Sequence, residues 1–220
     1  MKLRSILLAL ASLLVLTACP IGSVIQYIHT NSFAYQYVIT KHFELSEPRI
    51  SQDGSSVSFT LEFTGEGAAI DYREEVFHQI AQENGDTGWD AEIMERNYAG
   101  QWPIYIYPDL VRIDVTSNQD YDDEHPAGTL LNDCFSLAFS TAYEYISSGY
   151  KNKDQLVHKQ ILLSELTSQD MRIMHDYPGL YIERLPKNRG IHELRFVLYY
   201  ANGLQWAKRF EVDFDQVFPE

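Results

Sequence analysis

The segment HELRFVLYYANGLQWAKRFEVDF, residues 192–214, leaves the chain few choices. Two runs of alternating apolar residues flank Asn202-Gly203, the signature of a β-hairpin. Its register follows from which side chains must share a face. A two-residue loop pairs Leu198 with Ala207 and Phe196 with Arg209, setting apolar beside polar. A three-residue loop over Ala201–Gly203 pairs Tyr200 with Leu204, Leu198 with Trp206 and Leu194 with Phe210, and gives Gly203 the left-handed place of a G1 bulge. The second register is the expected one. Lys208 is the misfit on its apolar face and is expected to snorkel to an edge.

Period two recurs elsewhere. In SVSFTLEF, Val57, Phe59, Leu61 and Phe63 alternate with Ser and Thr residues and Glu62, which predicts a half-buried strand. Strands are also expected in Phe33–Lys41, Trp102–Tyr107, Leu110–Val115 and Cys134–Ser140, rich in aromatic or branched residues. Helical patterns are few: Ile70–Gln82, Trp89–Asn97, and TSQDMRIMH from Thr167, whose Thr167 and Asp170 have capping-box spacing. Residues 85–88 and 183–190 read as loops. The expected fold is mainly β, a two-sheet antiparallel sandwich of immunoglobulin-like type with short helical insertions. One twisted antiparallel sheet covered by helices, an α+β arrangement, is the alternative.

The chain opens MKLRSILLALASLLVLTAC, with Lys2 and Arg4 before an apolar core too short to span a bilayer. Leu16-Thr17-Ala18-Cys19 resembles the lipobox of bacterial lipoproteins. That resemblance implies a signal peptide over 1–18, cleavage before Cys19, and a lipid anchor on Cys19. Residues 19–30 then form a short tether and 31–220 a single globular β-rich domain. Pro20 stands where an aspartate favours inner-membrane retention, and PIGSV lacks an acidic surface-export run. The expectation is the outer membrane, facing the periplasm. Losing Lys2 and Arg4 leaves 15 basic residues against 31 acidic, a formal charge of −16, which argues against nucleic acid as a partner. With Cys19 lipidated, Cys134 stands alone, and its apolar setting predicts a buried small hydrophobe.

Chemistry has one conspicuous candidate, QDYDDEHPAG at residues 119–128. Asp120, Asp122 and Glu124 fall at the first, third and fifth positions of a calcium loop. His125 stands where that loop needs glycine and Leu131 where it needs glutamate. In an extended chain the three carboxylates would lie about 7 Å apart along one side. The sequence therefore favours a solvated acidic connector, with His125–Gly128 as a type I turn and calcium as the only cofactor to test. No HExxH, GxSxG or phosphate-binding loop is present. Asp90, Glu92 and Glu95 near Trp89 are the candidate acids for a glycoside hydrolase, against the simpler reading of a charged helix face.

Fifteen tyrosines, among them Tyr105, Tyr107, Tyr199 and Tyr200, suggest either aromatic platforms for a glycan or ordinary sheet packing. The segments NYAGQWP and DVTSNQDYDDEHPAGTLLNDCF resemble lipoproteins of unassigned function from gut bacteria, which implies no activity. The expected function is a lipid-anchored envelope protein, a non-catalytic binding module for a glycan or protein partner. An envelope glycan hydrolase and a subunit of an envelope or pilus-like assembly are the alternatives.

Overall fold

The computed structural model describes residues 31–50, 57–64, 69–90, 93 and 104–217. The signal segment, Cys19, the tether, Glu92, Glu95 and most of the expected helix 89–97 lie outside the described residues.

Two antiparallel sheets enclose the larger core. The first runs β2 (His42–Leu45), β4 (Val57–Thr64), β10 (Gly179–Ile182), β8 (Phe135–Thr141) and β9 (Val157–Leu162), with β3 (Arg49–Ile50) also on β4. The second is β12 (Gln205–Asp213), β11 (Ile191–Tyr200) and β7 (Leu110–Ser117). Cross-strand registers gather the apolar positions into rows such as Phe59, Leu180 and Leu137. The two sheets meet through Phe135 on Phe196 and Phe43 on Phe210, each pair with ring centroids 6.2 Å apart. The mainly β, sandwich-like fold with short helical insertions is therefore the one the chain adopts. A third sheet adds β5 (Ala69–Asp71), β1 (Gln36–Ile39) and β6 (Ile104–Tyr107); its β1–β6 pair is parallel, a feature the expected antiparallel arrangement lacked.

The alternation in β4 holds, with Val57, Phe59, Leu61 and Phe63 buried. The hairpin adopts the three-residue register: Leu198 faces Trp206, Leu194 faces Phe210, and Gly203 has φ +83°. Lys208 reaches across the sandwich mouth to Glu44 on β2. A charge pointing inward from an edge strand also discourages pairing with a foreign strand. The opposite edge of this sheet is covered by residues 128–132, where the Asn132 side chain accepts from Val115 N (3.1 Å) and donates to Ile113 O (2.9 Å).

The helices differ from expectation in detail. Helix α1 (Glu75–Glu83) starts later than Ile70, because Ile70 pairs with Tyr37 in the third sheet. Residues 168–173 form turns rather than a helix. Thr167 and Asp170 do exchange capping hydrogen bonds, with Thr167 N to Oδ2 at 3.1 Å. The helix fails to propagate because the Arg172 and Ile173 carbonyls accept from Thr141 Oγ1 and Ala142 N, and Ile173 has φ +48°. Two further α-helices among the described residues are α2 (Tyr143–Ser147) and α3 (Phe214–Val217).

A second apolar cluster lies between the third sheet, α1 and α2, and at its centre is a buried acid. Helix α1 ends in a Schellman motif: Gly85 N donates to Gln82 O and Asp86 N to Ala81 O, with Gly85 at φ +69°. Helix α2 ends the same way, Gly149 N to Ile146 O and Tyr150 N to Tyr145 O. The residues that follow these two glycines meet: Tyr150 Oη donates to Asp86 Oδ1 at 2.8 Å. The same carboxylate accepts from Ser32 Oγ (2.5 Å), Phe33 N (2.7 Å) and Ala34 N (2.9 Å). Burial pushes the Asp86 carboxyl up, and these donors oppose the shift. Asp86→Ala leaves several buried donors unpaired at about 1–3 kcal/mol each. We expect it to lower the urea-unfolding free energy by about 3 kcal/mol or more, and Tyr150→Phe to cost about 1 kcal/mol.

Candidate functional site

The acidic stretch 119–128 is exposed along most of its length, as a solvated connector would be, but two of its residues anchor it. Tyr121 is fully buried and His125 nearly so. Tyr121 packs against Phe135, His192 and Phe214 while its hydroxyl donates to Arg184 O at 2.7 Å. Lys187 N returns a bond to Tyr121 O at 2.8 Å, and Lys187 Nζ pairs with Asp123. One buried tyrosine between acids thus pins the loop to the segment after β10. The proline turn sits one residue later than expected. Thr129 N donates to Pro126 O (3.0 Å), and Gly128 occupies the third position at φ +83°, as a type II turn requires.

The three calcium candidates are each engaged by protein groups. Asp120 Oδ1 accepts from Ala127 N at 2.8 Å. Asp122 Oδ1 accepts from Glu124 N and His125 N, each at 2.9 Å, and lies 2.7 Å from His125 Nδ1. Glu124 accepts from Arg184 at 3.3 Å. The chain curls, as converging ligands would need, but it curls to cap its own backbone.

The curl instead builds a mixed cluster. His125 Nε2 lies 3.0 Å from Asp133 Oδ1, and Arg184 pairs with Asp133. Arg184 also stands 3.7 Å from Asp122. Cys134, fully buried, completes the group; Asp122, His125 and Cys134 each present one donor atom within 4.8 Å of the others. Burial, with the Asp133 charge adding to it, pushes the Cys134 thiol up to about 11, so this thiol is a protonated, weak nucleophile at neutral pH. The expected burial of Cys134 is thus observed. Burial also acts upward on the Asp122 carboxyl. The His125 side chain and the two backbone donors outweigh it and hold that carboxyl below its usual value of 3.8. Sequence reading overlooked Arg184 and the link to Cys134; the only local signal was Asp-x-x-His in a tight turn.

Beside the cluster, an open pocket of about 570 Å³ lies on the outer side of β8, β9 and β10. Asp133 and Arg184 belong to both. Its further polar lining is Ser136, Gln160, Glu165 and Glu183. Gln160 Nε2 donates to Ser136 Oγ (3.1 Å) and Glu183 Oε1 (2.9 Å), which orients the amide at the pocket wall.

The other candidates resolve differently. Asp90 accepts from Ile93 N at 2.7 Å as a local cap, and Trp89 beside it is buried. Tyr105 and Tyr200 are core residues, Tyr107 donates to Glu83 at 2.7 Å, and Tyr199 is covered by Arg112 at 4.0 Å. Tyr105 and Tyr200 are thus packing residues, while Tyr107 and Tyr199 stay partly exposed with their side chains engaged by Glu83 and Arg112. His192 is a core histidine held by Ser117 Oγ (2.9 Å) and Asn188 O (2.7 Å).

Compared with known proteins, the chain matches no protein-family model, no curated protein and no solved structure.

Two outcomes follow from the loop. Calcium added to EDTA-stripped protein should leave its melting temperature unchanged, since Asp120 Oδ1 and Asp122 Oδ1 already cap backbone groups. Asp122→Ala should lower the melting temperature at neutral pH. Because the native Asp122 carboxyl lies below 3.8, its contribution is present above that value and fades as pH falls through the native pKa. The gap to wild type should therefore narrow in acid.

Proposed function

We propose that the protein is a lipid-anchored envelope protein whose β-sandwich is a non-catalytic binding module for a glycan. The observation that carries the reading is the open polar pocket beside the acidic loop. It combines hydroxyl, amide, carboxylate and guanidinium groups from Ser136, Gln160, Glu183, Asp133 and Arg184, with Ile161 and Leu162 at its wall. Such a set can bond the donors and acceptors of a polyol while an apolar patch covers a sugar's C–H face. Attachment rests on Leu16-Thr17-Ala18-Cys19, and the formal charge of −16 after cleavage suits a domain held off an anionic surface. Two or three acyl chains on Cys19, at about 0.8 kcal/mol per buried CH₂, hold such a domain without a membrane-spanning helix. The proposed placement is the outer membrane, on the periplasmic face.

A hydrolase reading has one observation in its favour, the presence of Asp133, Glu165 and Glu183 in the same pocket. Asp133 is engaged by Arg184 and His125, and Glu183 by Ser136 and Gln160, which favours holding a ligand over moving protons.

Calorimetry against a panel of envelope oligosaccharides tests the module. At least one should bind saturably, and Gln160→Ala should weaken it about tenfold, the loss of one or two net hydrogen bonds. No binding by any oligosaccharide would favour a protein partner, and release of a reducing end would favour the hydrolase. Radiolabelled palmitate tests the anchor separately. Label should enter the wild-type chain, and retention of it by Cys19→Ala would exclude that attachment.

A further inference from the structure

We propose that Asp122, His125 and Cys134 form a binding site for a late first-row divalent cation, with zinc as the reference ion. The three side chains offer one oxygen, one nitrogen and one sulfur within 4.8 Å of one another, and His125 and Cys134 are buried. Ligands 2.0–2.3 Å from one tetrahedral ion stand roughly 3.3–3.8 Å apart. The group is therefore within about 1 Å of a coordinating arrangement. The mixture of donors matters more than the charge. A thiolate and an imidazole select borderline and soft cations over calcium or magnesium, so this site is distinct from the calcium loop suggested by Asp120, Asp122 and Glu124.

The surroundings fit the same ion. His125 faces Asp122 through Nδ1, at 2.7 Å, and Asp133 through Nε2, at 3.0 Å. With Nδ1 on the metal, Nε2–H donates to Asp133, the carboxylate–histidine–metal relay of many zinc sites. Arg184 in turn fixes Asp133 through its other carboxylate oxygen. Three carboxylates, Asp122, Glu124 and Asp133, face the single guanidinium of Arg184. That leaves an excess of two negative charges for a dication to offset. Binding requires the Asp122–His125 contact to open by less than about 1 Å. It exchanges the Cys134 S–H bond for a sulfur–metal bond and the Nδ1–H facing Asp122 for a nitrogen–metal bond, and both displaced protons pass to solvent. Three protein ligands leave a fourth position for water.

Cobalt titration of the full-length, untagged chain, stripped with EDTA, reads the site directly. We expect one ion per chain, a thiolate-to-cobalt charge-transfer band in the near ultraviolet, and displacement of cobalt by zinc. Cys134→Ser should abolish the band, and Asp133→Asn should weaken zinc binding about 10–100-fold. Absence of a saturable thiolate band in the wild-type chain overturns the proposal, whatever the variants do. So does a band that survives Cys134→Ser, since its thiol would then be Cys19.

Discussion

The buried carboxylate of Asp86 ties together parts of the fold that share no strand pairing. Two helices end in Schellman motifs because Gly85 and Gly149 accept a left-handed backbone. Each motif turns its next residue inward, and those residues are Asp86 and Tyr150. The carboxylate then takes hold of Ser32, Phe33 and Ala34, the first described stretch of the chain. A fully buried carboxylate is tolerable only with such a donor set, and removing its partners exposes the full desolvation cost. Around it pack Phe33, Trp89, Tyr145 and Tyr150 in tilted and edge-to-face contacts of 4.9–6.0 Å. The polar knot is thus walled from water by aromatic rings, and the rings are oriented by the knot.

The acidic loop uses the same physics nearer the surface. Tyr121 supplies the apolar pin, Asp122 caps the turn, and Arg184 gathers the carboxylates that remain. Because Arg184 and Asp133 also line the neighbouring pocket, any ligand there meets side chains whose positions are already fixed. Little ordering entropy then remains to be lost on binding.

Much of the scaffold was legible in the residues. The alternation in Val57–Phe63 and the Ala201–Gly203 register follow from pairing rules that act within one or two strands. The parallel β1–β6 pair was not legible, because its partners are separated by more than sixty residues and carry no local signature. Thr167 and Asp170 showed the opposite failure: a correct local capping signal lost to tertiary bonds from Thr141 and Ala142. The acidic loop was legible only in part for a similar reason. Its composition reads as solvated, and only the contacts of Tyr121 with Phe135 and Phe214 show that it is anchored. Arg184 could not be assigned a role before the fold brought it beside residues some fifty to sixty positions earlier.

The knot also bears on the proposed anchor. A tether from Cys19 to Asn31 spans at most about 40 Å, and it enters the fold where Asp86 grips the chain. Pull on the lipid end would therefore be borne by Ser32–Ala34 and passed to both helix ends. Native-state amide hydrogen exchange at Phe33 and Ala34 is the most direct measure of that grip. If Asp86 holds this segment as part of the cooperative core, both amides exchange as slowly as Val197 in the centre of β11. Exchange at the rate of a frayed terminus would contradict it.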